Sequence, residues 1–258
     1  MRELTALHFK EGSFLLSKKR DWVTHVCLTT EEASKALRFA LSMTLGQGEH
    51  RDHRSGGKIR RRPIQVFHDT FNGKLSELAV HRWVRQETPD HRKISDLDFT
   101  IHALGTWDSG DLQISNHQFQ IKSTKEYGNL MLLETADWDS NGNYLPNTAN
   151  STTKVAGIIF VRLRPELWKI TDPTNFPNNF AELEKDILSV NWESNIAGFA
   201  TKNDIEQIVK LRQILPKNAR FQKSIIMDAD NYYIQAGDLY EISLLEKYLN
   251  YLEKIDSQ

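Results

Sequence analysis

DLQISNHQFQIKS, Asp111 to Ser123, reads as two short strands around a polar turn. If Ser115 and Asn116 form a two-residue turn, Ile114 faces His117 and Asp111 faces Gln120. Directly opposed residues of an antiparallel pair share a face, as do residues two apart on one strand. Asp111, Gln120 and Lys122 then fall on one side of the hairpin, and Leu112, Ile114, Phe119 and Ile121 on the other, buried side. An acid, an amide and a lysine would stand within reach of one another. A carboxylate and a carbonyl-type oxygen are hard ligands suited to Mg2+. A lysine beside such an ion can orient or deprotonate a water, while the ion stabilises charge developing on a phosphate.

Outward from the hairpin, VAGIIFVRLR (from Val155) is a continuous apolar, β-branched run, as in a strand covered on both faces. DFTIHALGTW, from Asp98, alternates enough for another strand. Lys125 to Thr153 reads as a long loop. Upstream, Thr29 and Glu32 have capping-box spacing before a helix with Ala33, Ala36, Leu37, Ala40 and Leu41 on one stripe. A second helix is expected from Asp69 or Asn72 to Gln86, with Glu77 off its buried stripe of Leu75, Leu78 and Ala79. The C-terminal part, about 177–258, reads as mostly helical. Asn203 would cap one helix ending before Pro216, and Asp238 with Glu241 would open the last.

The spacing of Asp111, eight residues, then Gln120-Ile121-Lys122 resembles the PD-(D/E)XK nuclease superfamily, which includes most type II restriction endonucleases. Its members place an acid at the start of one strand and a (D/E)XK triplet on the next. A preceding helix often supplies a further acid, and Gly73-Lys74-Leu75-Ser76-Glu77 fits that stretch. The resemblance spans roughly Phe71 to Val161. It implies Asp111 as central metal ligand, with the Gln120 side-chain oxygen and the Ile121 backbone carbonyl beside it. It further implies Lys122 as the residue positioning the attacking water. Glu77 would act through a metal-bound water or ligate a second ion. Two positions depart from the family pattern: Gly110 stands where proline is common, and Gln120 where an acid is usual. The second removes one negative charge, worth on the order of a few kcal/mol of ion attraction at this range, so weak metal binding without DNA is expected.

The resemblance implies one α/β domain, 1–258, with a central mixed sheet flanked by helices in the restriction endonuclease-like manner. It also implies Mg2+ as cofactor, double-stranded DNA as substrate and a homodimer acting on a palindrome. A different PD-(D/E)XK nuclease (repair, phage or transposon) and a DNA-binding protein with a degraded site are the alternatives.

The charge distribution supplies a second indication of nucleic acid. Net charge is only −1, but Arg51, Arg54, Lys58, Arg60, Arg61 and Arg62 crowd a glycine-bracketed arm at about 46–62, opposed by Asp52 alone. Such a stretch reads either as a solvated surface loop or as an arm that closes on phosphates, gaining free energy by releasing counterions from DNA. Lys125, just past the catalytic strand, is a further candidate phosphate contact.

With 39% hydrophobic and 26% charged residues the composition is that of a globular chain, and no apolar run is long enough to span a membrane. MRELTALHFKEGSF lacks the apolar core of a signal peptide, and Cys27 is the single cysteine, so a cytoplasmic location is expected. His50 and His53 have no third ligand nearby for zinc. The Asp137–Asp139 stretch lacks the closing glutamate of a calcium loop and reads as a plain turn. No P-loop, dinucleotide fingerprint or nucleophile elbow occurs.

Overall fold

A computed structural model describes residues 2–45, 62–89, 91–100, 110–145, 155–171, 176 and 180–257. Most of the basic arm, with Arg51, Arg54, Lys58, Arg60 and Arg61, and residues 101–109 and 146–154 lie outside this set.

The chain is a mixed α/β protein. In order, its elements are β1 (His8–Lys10), β2 (Ser13–Leu15), β3 (Val26–Cys27), α1 (Thr30–Leu45), α2 (Pro63–Glu87), β4 (Leu112–Ile114), β5 (His117–Lys125), β6 (Leu130–Glu134) and β7 (Val155–Arg164). There follow α3 (Phe180–Leu188), β8 (Glu193–Thr201), α4 (Lys202–Lys210), β9 (Ile214–Leu215), β10 (Arg220–Phe221), β11 (Ile225–Ile226), β12 (Asn231–Gln235) and α5 (Leu245–Asp256).

The organising sheet has the order β3-β8-β7-β5-β4. Its heart is β7, the apolar run, with nine of its ten residues buried. β5 lies parallel to β7; the other pairs are antiparallel, so the sheet is mixed, as expected. Ile159, Val161 and Leu163 face a core built with Phe67, Phe71, Leu75 and Leu78 of α2 and Ala33, Ala36 and Leu37 of α1. Ile158 and Phe160 face the other way, into a core with Met131, Leu133, Ile205, Ile208 and Ile234. Helices therefore cover one face. The second face is covered by α4 together with a smaller sheet of order β6-β12-β9, not by helices alone. A third sheet, β1-β2-β10-β11, lies beyond it.

The Thr29–Glu32 box caps α1: the Thr29 amide donates to Glu32 at 2.8 Å, and the Glu32 amide to Thr29 Oγ1 at 3.2 Å. The second helix begins earlier than expected, at Pro63, because Ile64, Phe67 and Phe71 carry its buried stripe back two turns. Proline at the first position has its φ preset and no N–H to lose.

The C-terminal part is not mostly helical. It contributes β8, one of the longest strands of the central sheet, and all of β9 to β12. Small residues hide β8 in the sequence, and packing explains them. Phe199 exchanges both backbone hydrogen bonds with Tyr240, at 3.0 and 2.9 Å. Gly198 has φ +133°, and a Cβ there would stand 2.4 Å from the Tyr240 carbonyl oxygen.

Thr201, not Asn203, caps α4, in a box with Asp204. α4 ends at Lys210, short of Pro216, since Arg212 turns to φ 51°. Asp238 opens no helix; its carboxylate instead accepts from the Thr5 amide and hydroxyl. The stretch from Lys125 to Thr153 also carries structure, since Leu130–Glu134 forms β6 along β12. Of the strand expected from Asp98, the described residues 98–100 are not strand.

Candidate active site

The hairpin has the register expected from a two-residue turn: Leu112 opposite Phe119, Gln113 opposite Gln118, Ile114 opposite His117. Ser115 takes the turn's left-handed backbone, φ 54°. Leu112, Ile114 and Phe119 are fully buried on the α2 side, and Ile121 packs against the same core. On the opposite face Gln118 and Gln120 are buried too. Gln120 and Lys122 lie beside Ile158 and Phe160 of β7, and so share that second face.

β4 begins at Leu112 while β5 continues along β7, so among the described residues no strand pairs with the outer edge of β5 beyond Phe119. Asp111 lies at this edge. Its Oδ2 accepts from the Ile121 amide at 2.6 Å, in place of the next rung of the ladder. The N–H and C=O of one strand residue point to the same side, so the Ile121 carbonyl also lies towards Asp111. Gly110 leaves room for a neighbour here, since a Cβ on it would meet Gln118 Oε1 at 2.5 Å. Gln118 in turn donates to Gln113 at 3.2 Å.

Gln120 is only 4% exposed, yet its Oε1 has no hydrogen-bond partner among the described residues. Leaving a buried acceptor unsatisfied costs about 1–3 kcal/mol, so such a group marks a place where something else belongs. Lys122 is half-buried. It forms no hydrogen bond or ion pair among the described residues, and its Nζ lies 6.0 Å from the centroid of the Tyr144 ring. The hairpin therefore carries one carboxylate, one orphan amide oxygen, one backbone carbonyl and one ammonium at neighbouring positions. That donor set fits a hard divalent cation holding most of its own waters.

Glu77 is placed differently. Its helix packs on the α2 side of the sheet, across from the face that carries Gln120 and Lys122. Its carboxylate is ion-paired to Lys74 at 2.6 Å, and Lys74 Nζ also donates to the Asp98 carbonyl oxygen at 2.6 Å. The Phe39 ring lies below the same ammonium, 4.8 Å from it. Lys74 stands within the Gly73–Glu77 stretch itself, but only the packed structure reveals that it neutralises Glu77. Among the described residues no three His, Cys, Asp or Glu side chains gather into an ion site. Any ion at the hairpin would thus depend on neutral oxygens beside Asp111.

Of the proposed DNA contacts, Arg62 is exposed just ahead of α2, where its backbone amide donates to Gln65 Oε1 at 2.9 Å. Lys125 ends β5 with its side chain 72% exposed, 3.9 Å from Glu166. Asp139 accepts from the amides of Asn141 and Asn143, a self-capped turn as expected. These bonds, those from Asn143 first, hold its carboxyl below the usual range. Trp138 is buried against Tyr144, in the core and not at a stacking surface. No helix among the described residues is long and apolar enough to cross a membrane. Compared with family models, with curated proteins and with solved structures, the chain matches none.

Proposed function

We propose that the chain is a magnesium-dependent endonuclease of the PD-(D/E)XK type, with a restriction endonuclease-like core, hydrolysing phosphodiester bonds of double-stranded DNA at a specific sequence. The observation that carries this reading is the buried, unpartnered Gln120 Oε1, two residues from Lys122 and opposite Asp111, where β4 leaves β5.

In this reading Asp111, Gln120 Oε1 and the Ile121 carbonyl hold the ion. When bound, Mg2+ supplies Lewis acidity and lowers the pKa of water. Lys122 orients the attacking water and balances charge gathering on the phosphate oxygens. The phosphate would approach from the side on which Asp111 is exposed. Arg62, Lys125 and the arginines of the arm neutralise backbone phosphates, and arginine pairing with guanine supplies sequence readout. A homodimer would match the two-fold symmetry of a palindromic site.

A second reading, a DNA-binding protein with a degraded site, draws on the Lys74–Glu77 pair, which occupies the extra acid. Plasmid DNA incubated with the protein separates the two. Discrete fragments in Mg2+ and none in EDTA support the sequence-specific nuclease; a smear points to another nuclease of this type. Uncut DNA with a mobility shift overturns cleavage and leaves the binder.

Gln120→Leu separates function from stability. It replaces an orphan buried acceptor by an apolar group of similar size, so the melting temperature should hold or rise. A gain of about 1 kcal/mol corresponds to about 2–4 °C for a chain of this size. Cleavage should fall sharply in the same variant. A large drop in melting temperature would mean that Gln120 is bound within the fold and not reserved for an ion.

A further inference from the structure

A cavity of about 660 Å³ lies between α4 and α5, well within the size range of small-molecule sites. Four of its thirteen lining residues are aromatic. Phe199 stacks on Tyr240 with centroids 5.4 Å apart and lies 5.6 Å from Tyr248, while Tyr251 stacks on Tyr248 at 6.4 Å. Arg2 lies flat over Tyr240, its guanidinium carbon 3.7 Å from the ring centroid, and Asp204 holds it at 2.9 Å through Nε.

Two lining residues each carry a buried polar atom with no hydrogen-bond partner among the described residues: the Arg2 Nη2 donor and the Gln207 Oε1 acceptor. Four aromatic rings with one spare donor and one spare acceptor in the wall suit a flat heteroaromatic ring with a hydrogen-bonding edge. Lys247 also lines the cavity, exposed and with no ion-pair partner among the described residues; Lys210, on the same wall, is paired to Glu206 at 3.7 Å. The Lys247 ammonium suits an anionic substituent on the same ligand.

We propose that this cavity binds a nucleotide. The base stacks against Tyr248 and Tyr251, its edge meets Arg2 Nη2 and Gln207 Oε1, and its phosphate lies towards Lys247. No residue of the hairpin lines the cavity, so the proposal does not rest on the nuclease reading. The nucleotide could be free or extruded from a strand, and the two share this chemistry.

The test is binding to the full chain in EDTA, so that cleavage plays no part. The ligands are the four deoxynucleoside and four ribonucleoside 5′-monophosphates and a single-stranded oligonucleotide blocked at both ends, followed by saturation-transfer NMR and titration. At least one should bind saturably. Tyr251→Ala and Gln207→Leu should each weaken it by about tenfold, since one stacked ring or one edge contact is lost, and Asp111→Asn should leave it unchanged. Tyr251 is half exposed and Gln207 Oε1 satisfies nothing, so both variants should keep the wild-type melt. Mononucleotide binding identifies a free ligand; binding of the oligonucleotide alone identifies an extruded one. The proposal falls if nothing binds at millimolar concentration, or if both variants bind as well as wild type. Loss of cleavage with nucleotide binding retained would overturn the nuclease and leave this site standing.

Discussion

Lys122→Ala should lower magnesium-dependent DNA cleavage by about 10²-fold or more and leave DNA affinity nearly unchanged. Removing one preorganised group that acts on developing charge typically costs this much. Binding, by contrast, depends on many phosphate contacts spread over the surface. Lys122 makes no hydrogen bond or ion pair among the described residues, so its truncation leaves no group unpaired there and should not unfold the chain. Asp111→Asn is the sharper companion. The Asn side-chain oxygen can still accept from the Ile121 amide, so the rung at 2.6 Å survives while the charge is lost. Cleavage should then fall at low Mg2+ and recover in part as Mg2+ is raised. Asp111→Ala loses the rung as well and should not recover. Gel assays for cutting, with mobility shifts in EDTA for binding, decide the matter. Lys122→Ala cutting at the wild-type rate would remove the hairpin from the chemistry.

The hairpin was legible because its information is local. Alternation and a two-residue turn predict that Leu112 to Ile114 pair with His117 to Phe119, and the register follows. β7 announced itself as an apolar run, and α1 through Thr29 and Glu32. What escaped depends on distant partners. β8 owes its small residues to Tyr240, which crosses it more than forty positions later in the sequence. β6 is a short run without alternation, since both of its faces are partly covered. The second core draws together Leu4, Met131, Ile205 and Ile234, segments no local pattern links. Glu77 shows the same limit at the site. Its helix and spacing could be read, but the side of the sheet on which it packs, and its claim by Lys74, are properties of the assembled fold.

Arg92→Ala should be the most destabilising of the changes considered. Arg92 sits in the connection from α2 to β4, and its side chain is 0% exposed. It grips α5 through two bonds to Glu246, both 2.7 Å, one to Glu253 at 2.6 Å and one to Asn250 at 3.0 Å. Breaking a fully buried pair costs about 3–5 kcal/mol. Here Glu246 and Glu253 are 30% and 42% exposed and can rehydrate, so about 2–3 kcal/mol is expected, a fall of roughly 4–12 °C in melting temperature. Arg92→Lys should recover only part of this, because an ammonium cannot bridge both Glu246 oxygens. The pH dependence identifies the source. Arg92 holds the Glu246 carboxyl below its ordinary value of 4.5, mainly through the hydrogen bond. That stabilisation is fully present above pH 4.5 or so and is lost as pH falls through the lowered value. The gap between wild type and Arg92→Ala should therefore be level from about pH 8 to 5 and narrow below about pH 4.5. Thermal melts across that range test it. A gap that stays constant into strong acid would assign the loss to the buried stem of Arg92 and its packing, not to its charge.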